Sequence, residues 1–366
     1  MLRVGLDVVP LVGPRTGIGE FVWHLVQELP AQGVEVRGWG VTWRGRDRLR
    51  HAVPPGVPLL RAALPARPLW AAWSRWYLPS IDLVVRELDV VHATNFALPP
   101  SRRAGVVTVH DLTVVHHPEW CEPATLRYPG LIRAAVARGA FVHTPTAAVA
   151  DEVREWLGID PERVVAIHHG APSAVQPPAS TPPRLRRLAG RRYVVAIGTL
   201  EPRKGIPELI TAFDHLASDE EGLDLVLAGR WGWGTELIAT ALAGAAHRAR
   251  IHVLGYVSGD ERSWLLAHAT LLAYPSRYEG FGLPPLEAMV SGVAVVATDV
   301  PAVREVVGGA AVLAPVGDVD GLTAALARGL AERDVLIEAG RERARRFRWD
   351  ASARRFRELY EAAACA

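Results

Sequence analysis

Short apolar runs separated by longer amphipathic segments recur along nearly the whole chain, and this rhythm admits few folds. Apolar runs buried on both faces read as parallel strands, and the amphipathic stretches between them read as the crossover helices that cover a sheet. In the first half the strand candidates are residues 3–9, 34–39, 90–93, 106–110, 141–144 and 164–167. Thr146 is placed to cap a helix over 147–157. The rhythm stops after Gly170, where Ala171-Pro-Ser-Ala-Val-Gln-Pro-Pro-Ala-Ser-Thr-Pro-Pro183 follows. Proline at that density continues neither helix nor central strand, so residues 171–190 read as a linker. Strand candidates resume at 193–197, 223–228, 251–254, 270–273, 293–297 and 311–313.

A chain of 366 residues exceeds the usual single core. The expectation is α/β: two doubly wound Rossmann-like domains, 1–170 and 191–348, and an amphipathic helix in 349–366 expected to cross back to the first domain, completion of the second being the alternative. With 49% apolar and 22% charged residues the chain has ample core material, and a net charge of +2 gives no footprint for nucleic acid. Cys121 and Cys365 are far apart in sequence and form no redox or metal motif, which suits a reducing compartment. No run reaches the ~18 apolar residues of a membrane span, and Met1-Leu-Arg-Val-Gly-Leu-Asp7 lacks the long apolar run of a signal peptide. The expected location is therefore cytoplasmic.

The strongest chemical signal is Tyr274-Pro-Ser-Arg-Tyr-Glu-Gly-Phe-Gly-Leu-Pro-Pro-Leu-Glu-Ala-Met289. A strand ends near Tyr274, a loop passes through Gly280 and Gly282, and Pro284 or Pro285 opens a helix. Loop and helix-start amides suit an anion or sugar oxygens, while Glu279 and Glu287 are good acceptors for vicinal hydroxyls. An isolated pair of glutamates would more simply serve a strand end and a helix dipole. The turn, spacing and prolines together favour a ligand.

Every one of the 41 basic residues is Arg except Lys204, which lies in Gly198-Thr-Leu-Glu-Pro-Arg-Lys-Gly205 between a strand and a helix. Arg203 and Lys204 together supply a forked donor and a point charge for a diphosphate. Gly13-Pro-Arg-Thr-Gly-Ile-Gly19 is a second glycine-bearing turn, equally readable as a plain tight turn. Val106-Val-Thr-Val-His-Asp-Leu-Thr113 brings His110 to a strand C-terminus, where open α/β sheets place ligands. Arg67-Pro-Leu-Trp-Ala-Ala-Trp-Ser-Arg-Trp-Tyr77 interleaves Trp and Arg, which fits a membrane surface, an acceptor glycan or plain helix packing. Asp318-Val-Asp320 reads as a helix cap rather than a metal motif, and His168-His169 has no metal spacing.

The segment from Glu279 to Glu287 resembles the E-x7-E motif of retaining GT-B glycosyltransferases of family 4. The similarity extends to the 198–205 segment, to Ala228-Gly-Arg-Trp-Gly-Trp-Gly234, to Leu254-Gly-Tyr-Val257 and to His110-Asp111. It implies a cleft between two facing domains, with the first as the acceptor side. Glu279 would contact the donor sugar, Glu287 the ribose, and the amides of Gly280, Phe281 and Gly282 the sugar and phosphate. Arg203 and Lys204 would neutralise the diphosphate, and the loop of Gly17 and Gly19 would close over it. His110 would position substrate beside the donor sugar. Leu283, Tyr256, Val257 and Thr199 complete the donor-binding set, although many relatives carry Arg in place of Thr199; Arg203 is the candidate replacement.

The implied reaction moves a hexose from a nucleoside diphosphate sugar to a glycan or lipid-linked acceptor, without a metal cofactor or covalent intermediate. GDP-mannose is the expected donor and a UDP sugar the alternative, because the 198–205 segment and the Gly-Trp-Gly loop look most like bacterial mannosyltransferases. A GT-B epimerase and a non-catalytic scaffold subunit are the rival readings. Peripheral contact at the inner face of the membrane would follow if the Trp and Arg segment were interfacial.

Overall fold

The computed structural model describes residues 1–13, 17–42, 45–62, 68–69, 72–73, 76, 78–83, 87–172 and 176–366. The chain divides into two compact units, Met1–Gly170 with Arg348–Ala366, and Ala171–Phe347. Much of the 67–77 segment, including Trp70, Arg75 and Tyr77, lies outside the described residues, as do Pro14, Arg15 and Thr16 of the first glycine turn.

The first unit holds strands β1 (Leu2–Asp7), β2 (Val34–Val41), β3 (Leu59–Ala62), β4 (Val90–Ala93), β5 (Ala104–Thr108), β6 (Phe141–Thr144) and β7 (Val164–Ala166). They form a seven-stranded parallel sheet in the order β3-β2-β1-β4-β5-β6-β7. The order reverses between β1 and β4, so a crevice opens there beyond the strand C-termini. β3 was not foreseen: it is short, lies at the sheet edge and follows Pro54, Pro55 and Pro58, which mask a strand signal. The expected strand 3–9 stops at Asp7, whose carboxylate accepts the Val9 amide (3.0 Å) as Val9–Leu11 turns into a short 3-10 helix. Similarly, β5 stops at Thr108, before His110.

Helix Trp349–Cys365 belongs to this first unit. Trp349, Ala353, Phe356, Tyr360 and Ala363 fall on one face and join Val4, Leu6 and Phe21 in its core. Polar groups are satisfied across that core: Tyr360 Oη meets His92 Nδ1 (2.7 Å), His92 Nε2 meets Thr108 Oγ1 (2.8 Å), and that oxygen meets His143 Nδ1 (3.0 Å). His143 Nε2 then donates to the Ile167 carbonyl (3.1 Å). Burial pushes the His143 imidazole down to about 3.

The second unit holds β8 (Arg192–Ile197), β9 (Leu223–Ala228), β10 (Ile251–Gly255), β11 (Leu271–Tyr274), β12 (Ala294–Thr298) and β13 (Val312–Ala314). Its six-stranded parallel sheet runs β10-β9-β8-β11-β12-β13 and reverses between β8 and β11. Strand alternation divides the core: Tyr193, Val195 and Ile197 enter one apolar layer, Val194 and Ala196 the opposite one. The expected linker 171–190 is only partly a linker. Pro183–Leu188 makes a 3-10 helix that buries Leu185 and Leu188 in this unit's core. Thr146 caps Ala147–Leu157, accepting the Val149 amide, and Asp318 caps Val319–Ala331, accepting that of Gly321. Among the described residues no helix is long and apolar enough to cross a membrane.

Candidate active site

Two loops leave the second sheet at its reversal point, one after β8 and one after β11, and they carry the residues singled out by sequence. After β8 the chain passes Gly198 and the exposed Thr199, and enters the 3-10 helix Pro202–Lys204. Gly205 then adopts φ 65°, and a Cβ there would overlap the Pro275 carbonyl at the start of the other loop. Only glycine lets the two backbones approach so closely. The Arg277 amide fastens them by donating to the Arg203 carbonyl (2.8 Å).

That approach brings Arg203, Lys204 and Glu279 together. The Lys204 ammonium donates to Glu279 Oε1, and the Arg203 guanidinium lies 3.9 Å from Glu279 Oε2. Arg203 also donates to Glu201 Oε1 (3.0 Å) and to the Tyr278 carbonyl (3.1 Å). Glu279 is 9% exposed. Burial alone would raise its carboxyl, but the charges of Lys204 and Arg203 outweigh burial and carry it down to about 2. The Tyr274 ring lies 5.6 Å from the Lys204 ammonium. The cluster thus presents two oriented cations and a permanently ionised acceptor.

The loop after β11 leads through Gly282, at φ 102°, into helix Leu283–Val290. Pro284 and Pro285 have no amide hydrogen, so the first turn offers fewer donors than an ordinary helix start, with no side-chain cap. The Phe281 ring is in the core, 6.0 Å from that of Phe347, and the half-buried Leu283 packs against the same layer. Glu287 is held by Arg262 of helix Gly259–His268, whose Nε donates to it at 2.8 Å. Arg262 and Glu201 escaped the sequence reading: Arg262 is far in sequence from Glu287 and in no recognisable motif, and Glu201 was passed over beside the basic pair that it orients. Tyr256 is exposed, with the Arg230 guanidinium 4.8 Å over its ring, and its carbonyl accepts from Arg184 (3.1 Å). Val257 is half-buried against the core.

In the first unit, Gly17 and Gly19 lie in the first turn of helix Gly17–Glu28, Gly17 exposed and Gly19 buried. His110 is buried, its Nε2 donates to the Thr94 carbonyl (2.8 Å), and its ring meets Phe21 and Phe96 edge-on. Burial lowers its pKa, so the ring is neutral. Among the described residues no group of His, Cys, Asp and Glu is arranged to hold a metal ion.

A model of glycosyl transferases group 1 matches residues 181–347, and a model of glycosyltransferase family 4 matches residues 15–174. The O-antigen chain mannosyltransferase B of Escherichia coli is 32% identical over 270 residues, 71% of each chain. Sucrose-phosphate synthase from Thermosynechococcus elongatus shares the fold with a TM-score of 0.74 at 19% identity, over 99% of both chains. Anabaena HepE in complex with UDP and glucose does so with a TM-score of 0.72 at 18% identity, over 99% of this chain and 100% of that one. The fold is that of the GT-B class, and the family models and the Escherichia coli relative make the chain a hexosyltransferase. The chain belongs to glycosyltransferase family 4.

Proposed function

We propose that the protein transfers mannose from GDP-mannose, with retention of anomeric configuration, to a hydroxyl of a glycan or lipid-linked acceptor. The observation that carries this reading is the cluster of Lys204, Arg203 and Glu279 at the reversal point of the second sheet. The mannosyl choice is supported by the similarity to the Escherichia coli mannosyltransferase.

Lys204 and Arg203 are oriented by carboxylates in advance, so they meet a diphosphate with little reorganisation. Donor binding exchanges partners: diphosphate oxygens take the two cations, and Glu279 accepts sugar hydroxyls. Glu287 and Arg262 are the corresponding pair for the ribose, and the backbone from Gly280 to Leu283 serves the sugar and phosphate. Thr199, Tyr256 and Val257 line the nucleotide side. The bond from the anomeric carbon to the diphosphate oxygen breaks, its electron pair leaves with the diphosphate, and the sugar becomes oxocarbenium-like. The acceptor oxygen bonds on the same face, and its proton passes to the departing diphosphate. Arg203, Lys204 and loop amides carry the leaving-group charge without a resident metal ion. In the first unit, Gly17 and Gly19 are assigned to substrate binding, and neutral His110 orients substrate as a hydrogen-bonding group rather than a base. The reaction is placed in the cytoplasm, with peripheral membrane contact where the acceptor is lipid-linked.

Heat unfolding with GDP or UDP tests the donor choice. A nucleotide present at 100-fold over its Kd stabilises the folded chain by about 2.7 kcal/mol. GDP is expected to raise Tm more than UDP does at equal concentration; equal shifts, or none, would remove the guanine preference.

A further inference from the structure

One further side chain faces both members of the Lys204 and Glu279 pair. Tyr274 is the last residue of β11, 5% exposed, and its ring belongs to the apolar layer that holds Tyr193, Leu272 and Phe281. Neighbouring backbone fixes it further. Tyr274 pairs in register with Ala297 of β12, and the Thr298 hydroxyl donates to the Ser276 carbonyl two residues on. A Cβ on Gly282 would lie 3.5 Å from the Tyr274 Cε1, so the loop entering helix Leu283–Val290 runs against the ring edge.

The ring lies 5.6 Å from Lys204 Nζ, inside the ~6 Å at which a ring face attracts an ammonium. The Lys204 side chain is 18% exposed, and this attraction grows as a cation is withdrawn from water. The Tyr274 hydroxyl faces the Glu279 carboxylate. Burial first, then the charge of Glu279 and a hydrogen bond to it, push the phenol well above its ordinary value, so the hydroxyl keeps its proton and donates. A diphosphate competes with Glu279 for the ammonium, because both are anions. It does not compete with the ring, which is uncharged and held in the core.

We propose that Tyr274 is a positioning residue for sugar transfer: its ring keeps the Lys204 ammonium aimed at the diphosphate, and its hydroxyl holds Glu279 for the sugar, while the two exchange partners. Preorganisation of this kind places the charge before the reaction begins. The inference rests on the donor reading above and adds a residue which that reading leaves out.

Calorimetric titration of wild type, Tyr274→Phe, Tyr274→Leu and Lys204→Ala tests it, with GDP and GDP-mannose as one pair of probes and UDP and UDP-glucose as the other. For the pair that wild type binds, Tyr274→Phe keeps the ring, so its affinity for the nucleotide should match wild type. It loses the hydroxyl that holds Glu279, so its affinity for the nucleotide sugar should fall by about tenfold. Tyr274→Leu loses the ring as well and should bind the nucleotide itself about tenfold more weakly. A lower Tm in Tyr274→Leu with wild-type affinities would mean that the ring only fills the core, and would overturn the proposal. Equal losses of nucleotide affinity in the Phe and Leu variants would overturn it too. Where Tyr274→Leu does not fold, unchanged nucleotide-sugar affinity in Tyr274→Phe does the same. If Lys204→Ala loses the nucleotide while both Tyr274 variants match wild type, this inference alone fails. If Lys204→Ala binds as wild type does, or wild type binds neither pair, the donor reading fails and this inference with it.

Discussion

At the scale of single residues, the account turns on Glu279 and the cations it holds. Its carboxyl titrates near 2 in the folded chain, against 4.5 as the ordinary value. A folded pKa below the unfolded one gives stability that is fully present above pH 4.5 and is lost as pH falls through 2. The shift corresponds to about 3 kcal/mol. Glu279→Gln should therefore be less stable than wild type at pH 7 and should flatten the stability decline between pH 4.5 and 2, as read by urea unfolding across that range. A decline of the same steepness in the variant would show that Glu279 is not the titrating group. Lys204 was legible in the sequence because it stands alone among arginines, beside a glycine that needs a left-handed backbone. Arg262 was not, because its bond to Glu287 joins two helices whose packing no local pattern encodes. Asp7 carried no signal of its own in the sequence; the cavity it lines exists only once β1, β2 and β4 lie side by side.

At the scale of elements, local signals succeeded where burial imposed them. Strands buried on both faces, such as β11 and β12, are nearly continuous apolar runs and were read to within a residue or so. The short edge strand β3 was missed, and two strands were drawn too long where a turn begins at Asp7 and at Val109. Amphipathic spacing identified the last helix, and its expected return to the first domain could not be derived from that spacing, because an apolar stripe does not name its partner. Its attachment has a polar component that can be tested. Tyr360→Phe removes the hydroxyl from His92 Nδ1 and leaves a buried imidazole nitrogen without a partner. The expected loss is about 1–3 kcal/mol of unfolding free energy, seen as a lower urea midpoint with an unchanged slope. An unchanged midpoint would mean that apolar packing alone retains the helix.

At the scale of the whole molecule, one topology is used twice. Each unit is a parallel sheet whose strand order reverses once, and each gathers its chemistry beyond the strand C-termini at that reversal. The second unit places a cation pair and a carboxylate there, the first the Asp7 carboxylate, with no cation partner among the described residues, and the Asn95 amide. The rhythm of the sequence foretold the two sheets, and the Glu279 to Glu287 spacing foretold the family. The contact between Glu279 and Lys204 required the structure, since the two residues lie in separate segments that only the fold brings together. The most direct measurement is turnover of GDP-mannose with acceptor by Lys204→Ala against wild type. Loss of one preorganised charged donor should lower kcat by about 100- to 1,000-fold, equivalent to ~2.7–4 kcal/mol of transition-state stabilisation. Undiminished turnover by the variant would contradict the role assigned to the cluster.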